Sequence, residues 1–336
     1  MADATTPVAA ALSRVAADQR ARLAGAWPDA VRGEAEALRR VRIATRRLRV
    51  IADIVRRADV VRHPRRLLRD LRRLGRTLGP ARDRLVARED LTVAARRHRW
   101  TVEQTRALGA WIDRGVARER RALRKAARDV DIDEIGARVS AAADDIAAAG
   151  HDRLWRDRLA AAILRRAARV AAARRQCGAL YAPERLHALR IAIKKLRYLA
   201  EIAETVTGAD VPWLPVLVRE QRRYGRLHDR QMLVTDARAL ASTTAGERAA
   251  RVERLIAVLD RDCRRWHAAA IASLGAIDTA VAGARATAAA LVRASRPARA
   301  SLRDVHVDHG RAALAARVRR GPAGMRPAGD EDSKAR

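Results

Sequence analysis

The chain has no phenylalanine, and its six tryptophans and three tyrosines make up only 3% of 336 residues. Sheet proteins draw on aromatic and β-branched residues, so this scarcity argues against a β fold. Single-strand nucleic-acid binders stack bases on aromatic rings, so it weighs against that class too. The two cysteines, Cys177 and Cys263, lie far apart; they give neither a disulfide framework nor a zinc spacing. No apolar run reaches the roughly 18 residues of a membrane-spanning helix. The first residues lack a basic flank before an apolar run, and Val8 to Leu12 is too short a patch for a signal peptide. A reducing cytoplasm is the expected location. Walker-type loops, a Gly-x-Ser-x-Gly element and a magnesium-binding carboxylate cluster are all missing, so no enzymatic activity and no cofactor are expected.

Acids are scarce as well. Asp and Glu number 39 against 71 Lys and Arg, a net charge of +32. Four of the 71 are lysines (Lys125, Lys194, Lys195 and Lys334), which leaves 67 arginines. A high-GC genome inflates arginine and alanine throughout, so the raw count overstates function. Such an excess repels itself and is better tolerated beside a polyanion. Hydrophobic residues still make up 49%, too many for a disordered basic tail. An all-helical fold follows as the expectation.

An internal repeat is present. Arg42-Ile43-Ala44-Thr45-Arg46-Arg47-Leu48-Arg49 returns as Arg190-Ile191-Ala192-Ile193-Lys194-Lys195-Leu196-Arg197. Leu78-Gly79-Pro80-Ala81-Arg82-Asp83 is answered by Tyr224-Gly225-Arg226-Leu227-His228-Asp229, and Ile112-Asp113 by Leu259-Asp260. Order and offset are kept, which predicts a duplicated unit with halves at about 8–148 and 150–300. The segment 304–336, rich in Gly and Pro, reads as a flexible tail. Breaks are expected at Trp27-Pro28, His63-Pro64, Gly79-Pro80, 129–133, Gly150, Ala182-Pro183, 208–215, Gly225, 242–244 and Pro297, giving four to six helices per half.

On a helix, Arg39, Arg42, Arg46 and Arg49 fall within an arc of about 80°, as do His187, Arg190, Lys194 and Arg197. Val41, Ala44, Thr45, Leu48, Ile51 and Ala52 gather opposite the first stripe; Leu189, Ala192, Ile193, Leu196 and Ala200 gather opposite the second. A solvated charged face would carry interleaved acids at i,i+4. From Leu38 to Val50 there are six arginines and no acid, and from Leu186 to Tyr198 again no acid. Like charges at these spacings cost about 0.2–0.5 kcal/mol per pair, so a ligand is expected to supply the missing negative charge. Arg47 and Lys195 point about 100° round the helix and are second choices. A further run, Arg62, Arg65, Arg69, Arg72 and Arg76, steps along one helix, and Arg219, Arg222, Arg226 and Arg230 along another. Asp70 and Glu220 lie nearby, so a solvated face suits these nearly as well. Asp83 and Asp229 read as helix caps or as holders of a neighbouring Arg.

These residues resemble the CHAD family, the conserved-histidine α-helical domain. The resemblance rests on His187 to Tyr198 and Gly225 to Asp229, and in the first half on Arg42 to Arg49 and Gly79 to Asp83. Arg39 stands where the family usually has histidine. It implies two similar helical bundles related by a pseudo-twofold axis around a basic central cavity that binds inorganic polyphosphate. No triphosphate-processing CYTH domain accompanies it, so a stand-alone member is implied. The candidate ligand set is Arg39, Arg42, Arg46, Arg47, Arg49, Arg72, Arg76, Arg82, His187, Arg190, Lys194, Lys195, Arg197, Arg222, Arg226 and His228. A polyphosphate granule is a further expected location, and non-specific DNA or RNA binding is the alternative function. His63 and His98, among arginines, read as solvated. His306-Val307-Asp308-His309 reads as incidental clustering rather than a metal site. The tryptophans read as bundle anchors.

Overall fold

Eleven helices account for nearly all of the described residues, which in this computed structural model are 7–295 apart from 59 and 151. They are α1 (Val8–Arg32), α2 (Ala35–Val55), α3 (Pro64–Thr77), α4 (Gly79–His98), α5 (Val102–Ala127), α6 (Ile132–Ala148), α7 (Asp152–Arg175), α8 (Pro183–Thr207), α9 (Leu214–Ala241), α10 (Gly246–Ala272) and α11 (Leu274–Ala294). The fold is all-helical, and no strand occurs among the described residues. No single described helix is long and apolar enough to cross a membrane. The segment 304–336, Pro297 and the His306 to His309 cluster lie outside the described residues.

Local signals set most boundaries. Pro64 and Pro183 open α3 and α8, where the missing N–H would be unpaired in any case. Gly33 closes α1 in the left-handed region at φ 87°; glycine reaches it without the penalty of a Cβ. Thr101 and Gln104 form a reciprocal capping box that starts α5, a boundary the Gly/Pro pattern does not mark. Two expected breaks are absent. Pro28 lies inside α1, one turn from its end, where it removes a single hydrogen bond while Ala26 and Ala30 stay packed in the core. Gly225 lies inside α9. Its counterpart Gly79 is followed by proline and opens α4 just after α3 ends, whereas Gly225 is followed by Arg226, and α9 runs unbroken for 28 residues.

The packing partners run in parallel through the chain. α1 packs on α2 and α6 as α7 packs on α8 and α11, and α4 packs on α5 as α9 packs on α10. One apolar core joins both sets, and residues up to Ser295 form one compact unit. Tryptophans anchor it: Trp155 is fully buried, and Trp213 lies over Gly283 and donates from Nε1 to Thr287 Oγ1 at 2.9 Å. A Cβ on residue 283 would come within 2.8 Å of the Trp213 ring, which is why glycine stands there.

Ion pairs fasten the first six helices to the last five. Asp53 on α2 takes Arg166 of α7 at 2.7 Å, Arg84 of α4 reaches Asp236 of α9, and His98 Nε2 lies 2.8 Å from Asp262 on α10. His98 is therefore engaged in a partly buried contact, not solvated. Arg230 of α9 is wholly buried between Asp90 of α4 (2.8 Å) and Asp262, with its guanidinium 4.8 Å from the Trp266 ring centre. Truncating Arg230→Ala leaves the buried Asp262 and the partly buried Asp90 without their shared cation beside a void, which by analogy with other broken buried pairs costs about 3–5 kcal/mol. A thermal melt is expected to show a fall in Tm far larger than for exposed Arg222→Ala.

Candidate functional site

α2 and α8 pack against each other and carry the two cationic stripes. Val41, Ala44, Thr45, Leu48, Ile51 and Ala52 are all buried on α2, as are Leu189, Ile193, Leu196 and Ala200 on α8; Ala192 is only partly covered. Burying these faces turns the stripes toward a common space. Arg46 donates to the Tyr198 hydroxyl across it at 3.3 Å. Two cavities of about 460 Å³ each meet at this point. Arg42, Arg46, Ile191, Lys194 and Tyr198 line both, and so form a waist between two chambers of one groove.

One chamber adds Arg49, Arg56, Arg72, Arg166, Arg169 and Lys195. The other adds Arg39, Arg82, His187, Arg190, Arg197, Gln221 and His228. Carboxylates in the groove are few. Asp83 and Asp229 stand 3.9 Å from Arg42 and Arg190, so the two repeated motifs make the same long ion pair. Both acids lie within helices, so of their two expected roles the holding of an Arg fits and capping does not. Asp53 also lines the chamber of Arg49 and Arg166, bound to Arg56 and Arg166. Arg46, Arg49 and Lys194 make no ion pair among the described residues.

The crowding of cations shows in their proton affinities. Burial, then Arg46, Arg190 and Arg42, pushes the Lys194 ammonium down to about 6. Burial and Arg46 bring Arg42 down to about 10, and burial with like neighbours lowers Arg190 and Arg49. His187 and His228 face each other with Nδ1 atoms 3.2 Å apart. Burial, followed by Arg190, lowers both, His228 to about 3, so at neutral pH this is an uncharged pair. Burial raises Asp229 to about 6 against the pull of Arg190. The site is a cavity short of negative charge.

The sequence profile of the CHAD domain matches residues 14–229, nearly two thirds of the chain. The chain belongs to the CHAD domain family. Its fold resembles the crystal structure of the CHAD domain from the plant Ricinus communis, with a TM-score of 0.57 at 22% identity over 83% of this chain and 93% of that one. It also resembles PptA from Streptomyces chartreusis, with a TM-score of 0.56 at 17% identity over 82% of this chain and 99% of that one. No curated protein matches the chain.

Of the sequence-derived candidates, the groove of this CHAD protein gathers Arg39, Arg42, Arg46, Arg49, Arg72, Arg82, His187, Arg190, Lys194, Lys195, Arg197 and His228. Arg39 sits exposed at the rim and pairs with Glu36 at 3.2 Å. Arg197 pairs with Glu201 at 3.3 Å, and Arg47 with the same carboxylate at 3.2 Å. Arg47 therefore fastens α2 to α8 and does not line the groove. Arg76 is absent from the lining, and Arg222 and Arg226 line other cavities along α9. Arg62 precedes α3 and binds Asp145 at 3.3 Å, so it does not share the helix of Arg65 to Arg76. Arg56, Arg166, Arg169 and Tyr198 are the residues the motif reading missed. Arg166 and Arg169 sit on α7, a helix outside the repeated motif, and their i,i+3 spacing is a faint signal among so many arginines.

Linkage gives the groove a measurable signature. Between pH 6 and 10.5 an unfolded chain holds the Lys194 proton that the folded one releases, so this group makes stability rise with pH across that window. Lys194→Met is expected to be more stable than the parent at pH 7 and to show a flatter gain in denaturation midpoint from pH 7 to 9.

Proposed function

We propose that this chain is a binding module for inorganic polyphosphate, held along the two-chambered groove between α2 and α8. One observation carries the reading: Arg42, Arg46 and Lys194 converge from two helices on a shared waist with Arg190 in the adjoining chamber, and the ion pairs made there, Arg42 with Asp83 and Arg190 with Asp229, are both as long as 3.9 Å. Condensed phosphate is a flexible chain bearing about one charge per phosphate and no bases. Arginine forks grip its oxygens in pairs, and lysine adds a compact charge. Cavities of this size suit a single narrow strand rather than a duplex, whose major groove alone is about 12 Å wide. Tyr198, the aromatic at the waist, is buried and occupied by Arg46, which leaves no stacking platform for bases. On this reading DNA or RNA binding is secondary, the protein acts without chemistry of its own, and a cytoplasmic polyphosphate granule is a natural place for it.

Reversing Arg46→Glu together with Lys194→Glu puts two anions at the waist. Affinity for long-chain polyphosphate should fall roughly 100-fold or more with helical circular dichroism unchanged, and the parent's affinity should fall steeply with salt. Retained affinity in the double variant removes the groove from the binding site. In a gel-shift competition, long polyphosphate should displace duplex DNA at equal phosphate concentration; the reverse outcome favours the nucleic-acid reading.

Filling the groove with anions should return a proton to Lys194. Calorimetric titration in buffers of different ionisation enthalpy is expected to show proton uptake approaching one per site near pH 7.5, with affinity weakening as pH rises to 9. Lys194→Met should lose that uptake.

A further inference from the structure

Lys194 is unusual among the few lysines of this chain. It lines both chambers, makes no ion pair among the described residues, and lies between the guanidiniums of Arg42 and Arg46 from α2 and of Arg190 from its own helix. His187 and Tyr198 on α8, Asp83 on α4 and His228 on α9 also face it. Lys195, its neighbour, is exposed and turns toward Arg166 and Arg49; Lys125 is exposed on α5. At neutral pH burial and the surrounding cations hold the Lys194 amine as a free base, which is the nucleophilic form. A nucleophilic amine thus projects into a site shaped for phosphate.

We propose that Lys194 is a self-acylation site for acyl phosphates, the mixed anhydrides of a carboxylic acid and phosphoric acid. Their phosphate docks on Arg42, Arg46 and Arg190 and presents the carbonyl carbon to Nζ. The nitrogen lone pair attacks that carbon and a C–N bond forms. The bond from the carbonyl carbon to the bridging oxygen breaks, inorganic phosphate departs with the electron pair, and the proton shed by nitrogen passes to phosphate or water. No oxidant or reductant takes part. The amide left behind cannot take up a proton, so acylation abolishes for good the positive charge that an incoming anion would draw onto the waist, and an occupied groove blocks the reaction. The docking step rests on the phosphate-binding reading given above.

The test uses the full chain with acetyl phosphate as the probe and follows acetylation of Lys194, Lys195 and Lys125 by peptide mass spectrometry. Lys194 is expected to react roughly tenfold faster than Lys125 and to saturate with acetyl phosphate; because the docked phosphate draws a proton back toward the amine, its rate should rise from pH 7 to 9. With an N-hydroxysuccinimide ester of acetate, which has no phosphate to dock, its lead should shrink. Lys194 reacting no faster than Lys125 overturns the proposal, and an undiminished lead with the ester overturns the docking step. Long-chain polyphosphate should protect Lys194 and spare Lys125. Fast acetylation without such protection would leave the acylation site standing and sink the polyphosphate reading. Normal polyphosphate binding with no preference for Lys194 would sink the acylation site alone.

Discussion

Repulsion among like charges is the constraint around which this molecule is built. Arg42, Arg46 and Lys194 meet at one waist with Arg190 beside it, and on top of burial Arg46 lowers the proton affinity of Arg42, Arg190 and Lys194. Nothing local rewards that convergence. It persists because the opposite faces of α2 and α8 are buried in a core shared by all eleven helices, and burying one large aliphatic side chain contributes about 1.5–3 kcal/mol. The apolar side of each helix fixes its direction, and the cations follow from the helical period.

The distribution of acids makes the same point from the other side. Carboxylates hold the perimeter: Asp53 on Arg166, Glu201 on Arg47 and Arg197, Asp236 on Arg84, Asp90 and Asp262 on Arg230. With 39 acids for 71 cations, placement decides which arginines are structural and which are left for a ligand. A pair that joins helices satisfies its arginine; a stripe without acids within reach leaves its arginines to whatever anion enters. The difference between Arg47 and Arg46, adjacent in sequence, is about 100° of direction round the helix: Arg47 meets Glu201 while Arg46 meets only a tyrosine hydroxyl.

Much of this was legible in the sequence, and what was not has identifiable causes. The stripes, their buried faces and most helix boundaries follow from period and punctuation, which are local. Pro28 and Gly225 misled because each looks like a stop signal, yet packing carries the helix through both. The start of α5 was hidden because its capping box needs neither glycine nor proline. Arg166 and Arg169 escaped because they reach the groove from α7 by tertiary packing alone. His98 looked solvated among arginines, and Arg230 read as one member of a stripe that suited a ligand or solvent about equally; their acids, Asp262 and Asp90, lie far away along the chain.

The two chambers differ in kind. Repeat spacing places Arg39 opposite His187 and Arg82 opposite His228, and all four line the same chamber. One side of it carries two permanent cations, the other a histidine pair that is uncharged at neutral pH. Arginine at 39 and 82 keeps positive charge there at every physiological pH, which histidine in such surroundings would not. The chamber on the other side of the waist reaches a similar end with Arg49, Arg72, Arg166 and Arg169. The one amine at the waist thus stands between two stretches of fixed charge. The protonation that answers an incoming anion is concentrated on Lys194, and the arginines on either side set the field it feels.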